Sequence, residues 1–453
     1  MKKLIVPMVL AFQLAAATAA QAAQVERVIV RQQWPWSADI KVEYRLADVT
    51  TPVDVEVHAY DGAQEFDQAK LAAATRGDRF GLRKGGLYEL TIDPAKAFGA
   101  QRVAVDRLRV QLQLKDSPAE TAEILYKVIN LDQTPVTVTD ISRADFYNGR
   151  IDPQYAAYTT NFRAFGHYTV NPPFDVFIWT GITNGPLYRT KKIALRKIKA
   201  AGQSFRMGEY EAADTPPESS KKRDVSFTKD YWMGVFEITQ AQLRRLKPDY
   251  VAWETNELYA ATRAASRVSW LYARGTSGKS WPAGDHSNVS KDSFMYALQQ
   301  ATGNKRFDLP TSAQWEFAAR AGAQYKFPSH TQGTLWYFYE GNFIWRGNKD
   351  YRPSEAERNC DLSMGAYVPG SCDPNAWGLY DVMGNVWEHV LDRAGSPAAA
   401  GEDPRGPEAD TSSRVCRGGG YGYNITDLGG VWSREWHWDT QDLGFRLCLH
   451  EED

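Results

Sequence analysis

The chain has 453 residues, of which 43% are apolar and 24% charged, and its formal net charge is −2 with a pI near 6.4. These values are those of a globular protein and exclude a disordered or fibrous one. A near-neutral chain has no basic field to attract phosphates, so we expect no nucleic-acid partner. At roughly 100–200 residues per domain, the length predicts two or three domains.

The N-terminus has the pattern of a signal peptide. Two lysines precede an apolar run from Leu4 to Leu14, and small residues end at Ala22. We therefore assign residues 1–22 to a signal peptide that is cleaved after Ala22, and we expect an exported protein, periplasmic or extracellular. The apolar run is shorter than the roughly 20 residues that a membrane span requires, so we expect no membrane span.

Residues 23–141 alternate apolar and polar side chains in short runs, such as Ile40–Tyr44 and Leu108–Leu114. A period of two buries one face of an antiparallel strand. Turns that contain glycine or proline separate the runs, which predicts a β-sandwich-like domain. Residues 142–189 sustain neither period, and we interpret them as a connector.

From residue 190 to 453 the pattern changes, because short glycine-bounded segments replace the alternation and twelve of the fifteen tryptophans lie there. Large aromatic side chains can fill a core that has little regular secondary structure. Two helices are predicted in this region. One runs from Lys291 to Gln300 before Gly303, and the other follows a capping-box pattern at Thr311–Gln314.

Six motifs occur in one order over the last 260 residues, and together they resemble the formylglycine-generating enzyme, or sulfatase-modifying factor, family. They are Phe205–Gly208, Met233–Gln240, Leu309–Arg320, Trp377–Glu388, Arg414–Gly419 and Leu443–Arg446. The resemblance implies a C-type-lectin-like fold for residues 190–453. The predicted fold class is therefore α+β and mostly irregular, with the β-sandwich-like domain in front.

The resemblance fails at the residues that carry the family's oxidative chemistry. The enzymes have a serine after the glycine pair and then two cysteines, whose thiolates bind copper(I). Aligned from Arg414, this chain has Gly420 at the serine, Tyr423 at the first cysteine and Leu428 at the second. We therefore expect no catalytic residues at these positions and no copper.

All four cysteines lie in the last quarter of the chain, and their even number in an exported protein favours disulfides over zinc. The family's motif strands would place Cys416 beside Cys448, and Cys360 with Cys372 would close a local loop. A displaced copper site at Cys416 and Cys448 is the alternative. Another branch of the family binds iron through histidines of an additional helical domain. The N-terminal half of this chain is predicted to form strands and contains only two histidines, so it gives no support for such an iron site.

The segment Asp381–Glu388 matches a calcium-binding segment of the family. The resemblance implies four ligands, with oxygens from Asp381, Gly384, Val386 and Glu388. The competing interpretation is that Glu388 pairs with an arginine of the core. A second calcium site could include Asn342 and Phe343.

Two functions remain open. The first is a non-catalytic binding module for a carbohydrate or a protein ligand, because aromatic and amide side chains suit such recognition. The aromatic and amide side chains that would bind the ligand lie between the last two motifs, at Tyr421, Tyr423, Asn424, Trp432, Trp436 and Trp438. The second is a metal-dependent oxidase or oxygenase of the same family with a relocated site. We favour the binding module.

Overall fold

The computed structural model describes most of the chain. The described residues are 22–32, 36–100, 107–160, 177–208, 222–251, 261–275, 281, 284–322, 366, 368–371, 374–382, 384–393, 400–407, 414–420 and 442–451, with the backbone alone for 338–339, 342–343 and 433–436. The predicted signal peptide and the pair Cys360 and Cys372 lie outside them. In this described part, no helix is long and apolar enough to cross a membrane.

The chain divides into two compact units. The first unit contains the chain up to Ala122 together with Ala144–Arg150. The second unit contains Glu123–Arg143 and the chain from Ile151 onward. The first unit has strands β1 (Gln24–Gln32), β2 (Ile40–Ala47), β3 (Val53–Asp61), β4 (Gln64–Glu65), β5 (Thr75–Gly77), β6 (Gly86–Ile92) and β7 (Leu108–Asp116), and helices α1 (Gln68–Ala74), α2 (Pro94–Phe98), α3 (Ala119–Ala122) and α4 (Arg143–Tyr147).

Two antiparallel sheets build the first unit. One has the order β1-β2-β6-β5 and the other β4-β3-β7. Their alternating apolar side chains point into one hydrophobic cluster, as the period of two predicts; Ile40 and Val42 of β2 are fully buried there. Asp67 and Asp93 accept backbone N–H bonds at the starts of α1 and α2, which explains where these short helices begin.

The second unit contains more strand than helix. Its strands are β8 (Ile124–Asn130), β9 (Thr137–Ser142), β10 (Lys192–Ile198), β11 (Ser204–Met207), β12 (Arg223–Ser226), β13 (Tyr231–Gly234), β14 (Phe307–Asp308), β15 (Phe338–Tyr339), β16 (Asn342–Phe343), β17 (Trp387–Arg393), β18 (Gly401–Glu402), β19 (Arg414–Arg417), β20 (Ser433–Trp436), β21 (Leu443–Gly444) and β22 (Cys448–His450). Its helices are α5 (Leu187–Thr190), α6 (Gln240–Leu246), α7 (Trp270–Ala273), α8 (Phe294–Thr302) and α9 (Ser312–Arg320), and Thr180–Thr183 form a 3-10 turn.

Two sheets position the candidate site. The larger has the order β14-β22-β13-β10-β8-β9, and the four-stranded sheet has the order β20-β19-β17-β21. Smaller sheets are formed by β11-β12-β18 and by β15-β16. Strands β17 and β21 run parallel, whereas β17 and β19 are antiparallel.

Both predicted helices are present, although the first spans Phe294–Thr302 rather than the predicted Lys291–Gln300. Helix α8 starts after Ser293, which accepts the Tyr296 N–H, and stops at Gly303, whose φ of 69° is left-handed. Helix α9 starts with both bonds of the capping box between Thr311 and Gln314.

The structure divides the chain at a different place from our predicted boundary. We assigned residues up to 141 to the N-terminal domain, but β8 pairs with β10 and β9 with β8, so both strands belong to the second unit. Within the predicted connector, Phe177, Ile178 and Trp179 are fully buried and belong to the second unit. Alternation identifies a strand but not the sheet that it joins.

Candidate functional site

Gly420 lies where the family has its serine, and the structure leaves no room for a side chain there. Strand β19 leads into Gly418 and Gly419, which have φ values of 91° and 90°. A β-carbon on Gly420 would lie 2.7 Å from both Asp442 Cγ and Trp387 Cδ1, and closer still to Asp442 Oδ2. These distances are shorter than real β-carbon contacts, so only glycine fits without displacing its neighbours. Tyr423 and Leu428 lie outside the described residues.

A thiol and an imidazole face each other beside this position. Cys416 on β19 and His389 on β17 are register partners, and Cys416 Sγ lies 3.6 Å from His389 Nδ1. His389 Nε2 lies 2.7 Å from the Val268 carbonyl, so Nε2 carries the proton and Nδ1 accepts. Burial lowers the pKa of His389 to about 4, and burial, with the nearby Asp442, raises the pKa of Cys416 well above its usual value. Both groups are therefore neutral at pH 7.

The prediction that Cys416 pairs with Cys448 is wrong in this structure, where both are free, buried thiols. Cys448 lies on β22 opposite Met233 and Asp308, in the larger sheet, whereas Cys416 lies in the four-stranded sheet. The physical reason is strand pairing, because the motif strand β21 joins β17 rather than β19.

The proposed calcium ligands come from one turn and the start of β17. Asp381 has a left-handed φ of 53°, and its Oδ2 accepts the Gly370 N–H at 2.6 Å. Burial raises the pKa of Asp381 to about 6. Gly384 donates its N–H to the Gly418 carbonyl at 2.9 Å, which attaches the turn to the glycine pair after β19.

Glu388 pairs with a core arginine, as the competing interpretation expected. Arg446 donates from Nε to Glu388 Oε2 and from Nη2 to Oε1, both at 2.6 Å, and Trp315 Nε1 donates to Oε2 at 2.6 Å. All three side chains are almost fully buried. A two-bond arginine–carboxylate pair fixes the Glu388 side chain rigidly. Oε1 accepts a single one of these bonds and keeps a lone pair for another partner.

Glu237 is a buried acid beside this turn that our sequence analysis did not select. It is fully buried, Oε1 accepts the Val386 N–H at 3.2 Å, and Oε2 accepts from the Asn385 side-chain amide. Burial, and then the charges of Asp381 and Glu388, raise the pKa of Glu237 well above its usual value. The signal in the sequence was one acidic residue inside the apolar run Met233–Ile238.

Calcium is bound by six to eight oxygen atoms, some of which can be backbone carbonyls. Across the described residues, no three His, Cys, Asp or Glu side chains are arranged to hold a metal ion. A calcium site here would therefore combine the carboxylates of Asp381 and Glu388 with backbone carbonyls, which calcium accepts. The three acids Glu237, Asp381 and Glu388 lie near one another, and the excess negative charge is relieved in part by Arg446. Asp381 and Glu388 are oxygen donors of the chemical type that calcium binds.

The remaining predicted site residues lie in parts described in less detail. The structure gives the backbone of Trp436 in β20, opposite Arg414, and of Asn342 and Phe343 in β16, opposite β15. The other residues that we predicted to bind a ligand fall outside the described residues: Tyr421, Tyr423, Asn424, Trp432 and Trp438.

Comparisons with known proteins agree with the motifs. The family model for the sulfatase-modifying factor enzyme 1-like domain matches residues 196–450. A formylglycine-generating enzyme of Thermomonospora curvata is 37% identical over 120 residues, which are 25% of this chain and 38% of that enzyme. The match thus spans less than half of that relative.

Two further proteins are similar over longer stretches. The chaperone protein LppX of Paenibacillus barcinonensis is 24% identical over 231 residues, which are 46% of this chain and 75% of LppX. The solved structure of PvdO from Pseudomonas aeruginosa covers 57% of this chain and 94% of its own, with 20% identity and a TM-score of 0.39. Because the family model covers more than half of the chain, the protein belongs to the family of the sulfatase-modifying factor enzyme 1-like domain.

Proposed function

We propose that this protein is an exported binding module of its family that does not generate formylglycine. The observation that carries the proposal is the closed space at Gly420. Asp442 and Trp387 occupy the volume that a serine side chain would need. The sequence also has Tyr423 and Leu428 in place of the two cysteines, and neither side chain supplies a thiolate.

The proposed ligand is a carbohydrate or a protein, bound at the segment Tyr421–Trp438. This segment follows β19 and includes β20, which pairs with β19 in the four-stranded sheet. Aromatic anchors on a rigid scaffold bind with little loss of conformational freedom. The similarity to LppX, which is named a chaperone protein, supports the protein ligand.

Calcium has a structural role in this proposal. Asp381 and Glu388 would bind it together with the Gly384 and Val386 carbonyls, and the ion would tie the turn to β17. The turn also fixes the position of Gly418, because the Gly418 carbonyl accepts the Gly384 N–H. We also infer that the first unit is a β-sandwich, because its two sheets share one hydrophobic cluster, and that residues 1–22 direct export.

The test is an assay for aldehyde formation on a sulfatase-type cysteine peptide, with and without added copper(I). We expect no product from the wild type and none from the variant with Gly420→Ser, Tyr423→Cys and Leu428→Cys, since Asp442 and Trp387 still fill the pocket. Binding is tested on glycan and protein arrays with wild type, Tyr423→Ala and Trp436→Ala. The melting temperature of each variant is measured first, and a variant is compared with wild type when the two melting temperatures agree. Aldehyde formation by the wild type would contradict the proposal.

A relocated metal site is the second candidate, and one observation favours it. Cys416 Sγ and His389 Nδ1 are a soft and an intermediate ligand 3.6 Å apart, beside the family's catalytic position. Copper at one ion per chain in purified protein, lost in Cys416→Ser, would support this candidate. Calcium without a transition metal would support the binding module.

A further inference from the structure

The turn that would present calcium-binding carbonyls has an unusual backbone. Asp381, Gly384 and Asn385 have φ values of 53°, 88° and 60°. Residues other than glycine rarely adopt these angles, although asparagine tolerates them better than most. A turn with three left-handed residues in five positions needs contacts from outside to hold it.

Glu237 supplies such contacts to Asn385, the residue between the two proposed carbonyl ligands. Oε1 of Glu237 accepts the N–H of the following residue, Val386, at 3.2 Å, and Oε2 accepts from the Asn385 side-chain amide. The next N–H, of Trp387, donates to the Asp442 carbonyl at 2.7 Å. The peptide groups on both sides of Val386 therefore have fixed orientations.

Glu237 is itself held firmly. The N–H of its neighbour Ile238 donates to the Phe445 carbonyl at 2.9 Å, and the Gly234 N–H donates to the Leu447 carbonyl at 2.8 Å. Arg446, between those two residues, donates to the Gly234 carbonyl at 3.0 Å as well as to Glu388. The segment that carries Glu237 is therefore bonded to Phe445–Leu447, and Arg446 in that segment also holds the Glu388 carboxylate.

We propose that Glu237 is the positioning residue of the calcium site, because its bonds to the Asn385 side chain and to the Val386 N–H hold the backbone between the two proposed carbonyl ligands, Gly384 and Val386. The inference rests on the proposed calcium binding. Carboxylates that orient metal ligands without contacting the ion commonly change metal affinity by about 10–100-fold when they are replaced. An ionised Glu237 would also add negative charge near the ion, and a change at Asn385 that keeps Glu237 separates charge from orientation.

The experiment measures calcium affinity by titration calorimetry on the full chain, for the wild type, Glu237→Gln, Asn385→Gly and Asp392→Asn. Asn385→Gly keeps the charge and favours the left-handed φ, but removes the side-chain bond to Glu237. Asp392 is a matched control, since it is a buried acid of the same unit whose Oδ2 accepts the Ser312 N–H at 2.6 Å. The melting temperature without calcium shows that each variant is folded.

We expect Glu237→Gln and Asn385→Gly each to weaken calcium binding about tenfold or more, and Asp392→Asn to leave it within about twofold. Normal affinity in Asn385→Gly would overturn the positioning role, even if Glu237→Gln binds weakly, because charge alone would then explain the loss. Equal affinity in all four proteins would also overturn it. Absence of calcium binding by the wild type would overturn both the calcium proposal and this inference.

Discussion

The carboxylate of Asp442 lies against Gly420, at the position where the family's enzymes carry a serine side chain. Gly420 does not have a left-handed φ, so the requirement for glycine there is one of space rather than of backbone conformation. The replacement of the serine is therefore coupled to the packing of a second residue. Restoring the family's residue types one at a time cannot restore the family's pocket.

Gly420→Ala should lower the free energy of unfolding by about 1–3 kcal/mol, since it overpacks a closed space. The double variant with Asp442→Ala should recover part of this loss, although Trp387 still crowds the new methyl group. Urea unfolding of the two single variants and the double variant measures this coupling. Strict additivity would show that Asp442 does not fill the space.

Calcium should raise the melting temperature, because an ion that binds the folded state alone stabilises it by mass action. Asp381→Ala should remove this increase, because alanine supplies no side-chain oxygen. Glu388→Ala is a poor test on its own, because it leaves the buried charge of Arg446 without its carboxylate and should cost about 3–5 kcal/mol. Differential scanning calorimetry measures the increase, and an undiminished increase in Asp381→Ala would show that the ligands are elsewhere.

Two of the buried titratable groups should change the stability with pH in opposite directions. His450 has Nε2 near the Leu309 carbonyl, at 3.1 Å, and its ring stacks on His286 at 3.6 Å. Burial, and then His286, lower the pKa of His450 well below its usual value. Below about pH 6.5 the unfolded chain binds a proton that the folded chain does not, so this group destabilises the fold as the pH falls.

Asp392 acts in the other direction, since burial raises its pKa to about 6. Between pH 6 and its ordinary value near 4, the folded chain binds the extra proton, so stability from this group rises as the pH falls. Relative to wild type, His450→Gln should therefore lose less stability between pH 7.5 and 5, and Asp392→Asn more. Urea unfolding across this range measures both slopes, which are at most about 1.4 kcal/mol per pH unit for each group. Parallel curves for the three proteins would contradict the assignment.

Cys416 and Cys448 should be alkylated by iodoacetamide only after unfolding, and without any reductant. Burial keeps both thiols protonated and inaccessible in the folded state, since it raises the pKa of each well above its usual value. Peptide mapping after alkylation in denaturant, with and without prior reduction, identifies the modified cysteines. Recovery of a Cys416–Cys448 disulfide peptide would contradict the structure.

The sequence was sufficient to predict features that depend on nearby residues. The stop of α8 at Gly303 and the start of α9 at Thr311 were predicted, because capping bonds join residues three or four positions apart, whereas α8 begins at Phe294 rather than at Lys291. Strands β2 and β3 could be predicted from the alternation of apolar and polar residues, which is also a pattern among neighbouring residues. Strand pairing joins distant residues, so the sheet that receives β8, and the separation of Cys416 from Cys448, could not be predicted from local pattern.

The candidate site was predictable to the same extent. The motifs located Asp381 and Glu388, and the structure adds what surrounds them. Glu237 is 151 residues from Glu388 along the chain, and its two bonds to the turn depend on how two distant segments pack. Nothing in the spacing of acidic residues distinguishes a buried positioning carboxylate from one in a solvated turn.

The hairpin of β8 and β9 lies at the edge of the larger sheet and precedes residue 196, where the family's domain begins. Ile129 of β8 is fully buried in the core cluster that also contains Leu195 and Trp232, and the Leu131 N–H donates to the Lys191 carbonyl at 2.8 Å. The hairpin therefore completes the core of the second unit.

Ile129→Ala should cost about 2–5 kcal/mol, as large-to-small changes in a core do, and the loss should fall on the second unit. Ile92→Ala is the matched control, because Ile92 is equally buried in the cluster of the first unit. Hydrogen exchange followed by mass spectrometry on the full chain can locate each effect. We expect Ile129→Ala to speed exchange in β10, β13 and β22, and Ile92→Ala to speed exchange in β2 and β6. Faster exchange of β2 and β6 in Ile129→Ala, with β10 still protected, would show that the hairpin belongs to the first unit and that the boundary at residue 141 was correct.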